Sequence, residues 1–222
     1  MRNNIMEQIG KLMGLRYKSH PWHGIDLGKQ APKIVTSFIE MVPTDTVKYE
    51  VDKESGYLRL DRPQKYSNVV PALYGFIPQT YSWKNVAELS IKALERPEII
   101  GDGDPIDICI LTEKQITHGN IIVMARPIGG FRMIDDNEAD DKIIAVLNND
   151  AFYGGFEDIS DCPELVIERL KHYFLTYKDM PSTGKRNSEI THVYGTKEAQ
   201  NVIKNGMLDY RNKFSSLETM FG

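Results

Sequence analysis

The chain has 222 residues, 41% of them hydrophobic and 26% charged, with a formal net charge of −4. That length supports one large domain or at most two small ones. The slightly acidic balance excludes a chain that binds nucleic acid or anionic membranes through bulk positive charge. Only two cysteines occur, Cys109 and Cys162, and no apolar run approaches the ~20 residues of a spanning helix. With no hydrophobic signal core near the N-terminus, the expectation is a cytoplasmic protein with reduced thiols.

Residues 3–15 predict a short amphipathic helix, because Ile5, Ile9, Leu12 and Met13 recur at helical spacing. His20-Pro21-Trp22-His23-Gly24 follows as a loop. Two histidines three apart could bind a metal, but nothing nearby completes a zinc set, so packing of Trp22 with hydrogen-bonded histidines is expected. From Lys33 to Arg62 the period changes to two, predicting strands at 33–42, 47–51 and 58–60. Asp52-Lys53-Glu54-Ser55-Gly56 makes the hairpin between the last two. Lys48 and Glu50 alternate with Val47, Tyr49 and Val51, which reads as a solvated edge face. Glu40 occupies a comparable place near the end of the first strand. Residues 65–78 show no clear period around Tyr74-Gly75-Phe76. Residues 81–100 read as an inserted helix or long loop, with Val86 to Glu95 helical and Pro97 as the stop.

Gly101-Asp102-Gly103-Asp104-Pro105-Ile106-Asp107 puts three carboxylates at the mouth of an apolar, β-branched strand that runs on to Leu111. Ionised carboxylates this close repel one another, and a hard divalent cation, magnesium or manganese, relieves the cost. Gly101 and Gly103 would let the backbone turn, and Pro105 would stiffen it. A plain surface turn uses the same residue types. A calcium loop fits less well, since Asp107 stands where its turn glycine belongs and the flanks read as strand.

Further on, Asn120–Arg126 and Gly130–Ile134 predict a strand pair, with Pro127 and Gly129-Gly130 as the turn. The acidic run from Asp135 to Lys142 reads by itself as a charged, solvated turn before a strand at 143–147. The last third predicts two helices. Pro163 opens the first, which carries an apolar stripe of Val166, Leu170, Tyr173, Phe174 and Tyr177; the second spans 199–214. Strands first and helices after argue for α+β with an antiparallel sheet or small barrel.

Several ordered stretches together resemble the soluble family I inorganic pyrophosphatases: Val47 to Glu50, Asp52 to Gly56, Asp61-Arg62, Tyr74 to Pro78, Gly101 to Asp107, Asp140 to Val146 and Tyr177-Lys178. The resemblance covers about Trp22 to Lys178, and Asp-Gly-Asp-Pro-Ile-Asp is its most specific part. It implies an OB-like five-stranded antiparallel barrel with peripheral helices, forming one domain over 1–222 with an extension at 1–32 and an insertion at 81–100. It implies magnesium-dependent hydrolysis of pyrophosphate, with manganese as a possible substitute, by a homo-oligomer, a hexamer being favoured. Carried over residue by residue, Asp102, Asp107, Asp135, Asp140, Glu40 and Glu50 would hold metals. Asp104 would be the general base, with Tyr74 near the reacting oxygens. Lys48, Arg62, Lys142, Tyr177 and Lys178 would bind phosphate. Val70-Pro71-Ala72-Leu73-Tyr74-Gly75 departs from the family's usual Tyr-Pro-x-Asn-Tyr-Gly, which touches the support of Tyr74 but no expected metal ligand. The rival readings are an OB-like module that binds phosphate or oligonucleotides without catalysis, and a phosphohydrolase acting on nucleotides. A binding module predicts a basic groove with stacking aromatics, whereas the clusters here are acidic.

Overall fold

Ten strands and three α-helices are present in a computed structural model that describes residues 17–65, 67–178 and 188–221, with side chains of the last helix to Ser215. The helix expected at 3–15 lies outside the described residues. The strands are β1 (Val35–Met41), β2 (Val47–Val51), β3 (Leu58–Pro63), β4 (Leu73–Phe76), β5 (Ile100–Gly101), β6 (Asp107–Leu111), β7 (Ile121–Asp135), β8 (Glu138–Ala139), β9 (Lys142–Leu147) and β10 (Ser188–Gly195). The helices are α1 (Lys84–Leu94), α2 (Glu164–Thr176) and α3 (Thr196–Phe221).

Five strands close on themselves in the order β1-β4-β6-β9-β7 and back to β1. Four of these pairings are antiparallel, and β6 with β9 is parallel. Closure removes the exposed edges that an open sheet would carry, and it gives the OB-like barrel with helices around it. β2 and β3 form a separate hairpin. Burial explains why β6 and β9 lack alternation. Ile108, Ile110, Ile143 and Ala145 join the cluster with Ala199, Val202 and Ile203 of α3. Cys109, Leu111, Ile144 and Val146 join the opposite cluster with Leu170, Tyr173 and Phe174 of α2. A strand covered on both faces reads as one continuous apolar run.

Three expectations need correction. The pair predicted at 120–134 is one strand of 15 residues. β1 pairs with it as far as Ala125 and β10 takes over from Gly129. Pro127 falls at the changeover, where neither β1 nor β10 pairs with it and the register with β9 shifts just beyond it. Gly130 is there for space, because a Cβ would lie 2.5 Å from the Tyr194 ring. Second, the last third is not wholly helical: β10 lies between α2 and α3, and α3 extends past both predicted ends. Third, the aperiodic stretch 65–78 contains β4, whose four residues are too few to show a period.

Helix α1 lies within the stretch 81–100 and ends with Glu95 in the left-handed region. Its first turn has no side-chain cap of its own. Asp209 of α3 supplies one, accepting from the backbone N–H of Trp83, Asn85 and Val86 at 3.0–3.2 Å. The histidine loop packs as expected. Trp22 is buried, stacks on His23 with centroids 4.7 Å apart, and donates its indole N–H to the Thr80 carbonyl. His23 Nδ1 shares a hydrogen bond with the Tyr210 hydroxyl at 2.8 Å.

Candidate active site

The turn before β6 is built as its residues dictate. Gly103 adopts φ +77°, a conformation that side chains disfavour. Gly101 serves differently, since a Cβ there would lie 2.5 Å from the Ser82 carbonyl oxygen. Ser82 N–H donates to the Asp104 carbonyl at 2.7 Å, and Asp104 N–H donates to the Asp102 carboxylate at 3.0 Å. These bonds hold two carboxylates at the strand mouth. Parallel pairing then sets Asp107 beside Lys142.

A cleft of about 200 Å³ opens at this point. Asp102, Asp104, Asp107, Asp135 and Asp140 supply its acids, Lys48, Arg62, Lys142 and Lys178 its cations, and Tyr74 and Tyr177 its phenols. An adjoining hollow of about 130 Å³ shares Lys48, Tyr74, Asp104 and Asp107 and adds Glu40 and Glu50. Every expected site residue therefore lines one continuous depression. Lys48 and Glu50 do not lie on a solvated edge face: their side chains are 24% and 28% exposed and bonded to each other at 3.0 Å. The acidic run 135–142 is likewise more than a solvated turn. Asp136 and Asn137 are exposed at positive φ, while Asp135 and Asp140 face the cleft. Sequence reasoning missed Glu138, Lys53 and Trp22 as lining residues. The acidic run and the Asp-Lys-Glu-Ser-Gly hairpin were the signals for the first two. A groove of about 590 Å³ lies elsewhere, and its lining includes only one carboxylate, Glu113.

Charge within the cleft is finely balanced. Lys142 is buried between Asp107 and Asp140, bonded to both, and lies 5.7 Å from the Phe174 ring. Burial works against its charge, yet the two carboxylates outweigh burial and hold the ammonium well above its usual range. Lys178 pairs with Asp135, which also accepts from the Ser188 hydroxyl at 2.6 Å. Lys53 pairs with Asp104. The Tyr74 hydroxyl donates to Asp107 at 2.6 Å. Burial, with the charges of Asp140 and Asp104, pushes the Asp102 carboxyl well above the usual range. Burial also pushes Glu40 up to about 8, against the opposing hydrogen bond from Val51 N–H at 2.6 Å.

Among the described residues no three His, Cys, Asp or Glu side chains already converge as a metal cage. The donor set nevertheless fits a hard divalent cation. It is entirely oxygen, and Asp102 shows the like-charge stress that such a cation relieves. The remaining features suit an anion with several charged oxygens, because Lys and Arg side chains ring the carboxylates.

Known proteins carry the same arrangement of chain. Residues 37–211 match the family model described as inorganic pyrophosphatase. An inorganic pyrophosphatase of Chlamydia muridarum is 52% identical over 199 residues, covering 88% of this chain and 95% of that protein. A soluble inorganic pyrophosphatase of Chlamydomonas reinhardtii is 33% identical over 196 residues, covering 88% and 91%. The crystal structure of inorganic pyrophosphatase from Thermus thermophilus superposes with a TM-score of 0.72 at 27% identity, covering 87% of this chain and 99% of that one. With the barrel, the acidic cleft and these matches in agreement, the chain belongs to the soluble family I inorganic pyrophosphatases.

Proposed function

We propose that this protein hydrolyses inorganic pyrophosphate to two phosphates in the cleft at the mouth of β6, with magnesium as its working metal and manganese as a possible substitute. One observation carries the reading: carboxylates under mutual stress, encircled by Lys and Arg, in a chain half identical to an inorganic pyrophosphatase. Asp102, Asp107, Asp135 and Asp140 would hold the metal, with Glu40 and Glu50 completing the acidic lining. Magnesium supplies charge neutralisation and lowers the pKa of water from ~15.7 toward neutrality.

The remaining work falls to the chain. Asp104 accepts the proton of the attacking water as general base. Lys48, Arg62, Lys142, Tyr177 and Lys178 bind phosphate oxygens and offset charge gathering on the leaving group, the main task in phosphoryl transfer. Tyr74 lies near the reacting oxygens, with its hydroxyl held on Asp107. Lysines now paired with carboxylates would be released to the phosphates once cations take those carboxylates. The protein would act as one domain and as a cytoplasmic homo-oligomer, with a hexamer favoured. Two buried, free cysteines are in keeping with a reducing setting, and no described helix is long and apolar enough to cross a membrane.

Phosphate release from pyrophosphate and from ATP, each with and without magnesium, tests the reading. Magnesium-dependent release from pyrophosphate, with ATP turned over far more slowly, is expected. Equal turnover of ATP would favour a nucleotide phosphohydrolase. No turnover of either would favour a binding module.

A further inference from the structure

Asp140 and Lys142 line the cleft, while the residue between them, Asp141, is buried on the other side of the chain. On β7 the same alternation puts Phe131 and Met133 in the cluster beneath α2 and turns Arg132 away from it. The two outliers meet. The Arg132 guanidinium donates to Asp141 at 3.4 Å, to Glu198 at 2.9 Å and to the Leu89 carbonyl at 3.2 Å. Its central carbon lies 5.4 Å from the centre of the Tyr194 ring, and the Tyr194 hydroxyl donates to the same Asp141 oxygen at 3.0 Å. Side-chain exposure is 5% for Arg132 and 1% for Asp141. One guanidinium thus joins helix α1, terminal helix α3 and strand β10 to the peptide between two cleft residues.

Stability alone is a poor reason for such a pair. Apolar residues of similar volume commonly serve a buried site as well or better. Satisfaction here is also incomplete, since Arg132 Nε and Asp141 Oδ1 have no hydrogen-bond partner among the described residues. A fixed ion pair does offer one defined seat for the backbone it holds, where apolar packing would tolerate several. The seat lies one residue from both Asp140 and Lys142, and small misplacements of such groups are costly to catalysis.

We propose that Arg132 and Asp141 are positioning residues that set Asp140 and Lys142 in the cleft, and that helix α1 contributes by fixing Arg132 through Leu89. This rests on the pyrophosphatase reading of the cleft. The nest touches no substrate, so its effect is exerted entirely through its neighbours.

The test is the double substitution Arg132→Met with Asp141→Leu, which removes both charges, nearly keeps the volume at 132 and keeps the branching at 141 with a larger side chain. Thermal unfolding, magnesium binding by calorimetry without pyrophosphate, and kcat with KM are measured together. The melting temperature should stay within a few degrees of the parent or rise. Magnesium affinity and kcat should each fall by about 10–100-fold, the usual cost of losing support behind a ligand. A folded double variant with the parent's magnesium affinity and a kcat within about twofold would overturn the proposal. Should it fail to fold, Tyr194→Phe and Arg132→Lys take its place with the same readouts, a several-fold loss being expected and unchanged values again decisive against it. A parent protein that binds magnesium but releases no phosphate from pyrophosphate would refute the function reading instead, and the calorimetric comparison would still decide the positioning.

Discussion

Glu40 shows how a single residue can record what a site is for. A carboxyl at 7% exposure, facing Asp107 and bonded to Val51 N–H, is pushed up to about 8 chiefly by burial. Its folded pKa lies above the usual 4.5, so the stabilising proton is fully held below pH ~4.5 and lost as pH rises through about 8. Metal-free protein should therefore become less stable across that window, and Glu40→Gln should flatten the trend in melting temperature. Magnesium added at pH 7 should release protons, because cations displace them from carboxyl groups. A pH-stat titration that detects no release would contradict this account of Glu40. The residue itself was readable in the sequence only through the resemblance. Nothing in Phe38-Ile39-Glu40 says that all of β1 is buried. Lys48 and Glu50 misled for a related reason: alternation marks two faces but does not reveal that the polar one covers a cleft.

Whole elements were legible where a period had room to appear. Strands β1 and β2 and helix α2 lie close to their predicted places because alternation or a stripe had room to show, and β6 and β9 do so as continuous apolar runs. β4, β5 and β10 were not. The first two are very short, and β10 gains its identity only from pairing along the far half of β7. Gly129-Gly130 read as a turn because sequence does not distinguish a glycine that bends from one that makes room for Tyr194. Asp209 belongs to this scale too. It caps α1 from another helix, 2% exposed and out of reach of local rules. Asp209→Ala leaves three backbone N–H donors of the first turn without their acceptor, that of Val86 buried, and should lower stability by about 1–3 kcal/mol, with Asp209→Asn intermediate. Urea unfolding reads this directly, and an unchanged midpoint for Asp209→Ala would show that α1 does not depend on the cap.

Across the whole molecule the barrel brings remote segments to one mouth: β1 and β2 with Glu40, Lys48 and Glu50, the β6 turn with its aspartates, the β7–β9 connection with Asp135 and Asp140, and the end of α2 with Tyr177 and Lys178. Neighbouring acids of that mouth would have different tasks, general base for Asp104 and metal ligand for Asp107, and these can be separated. The measurement is the initial rate of phosphate release from pyrophosphate against magnesium concentration, at several pH values, for the parent, Asp104→Asn and Asp107→Asn. Asp104→Asn should lose on the order of 10²–10⁴ in turnover at saturating magnesium, recovering in part at higher pH, as befits loss of a general base. Asp107→Asn should instead need more magnesium for the activity it retains. Full rescue of Asp104→Asn by magnesium alone, or an Asp107→Asn curve that coincides with the parent's, would contradict the account.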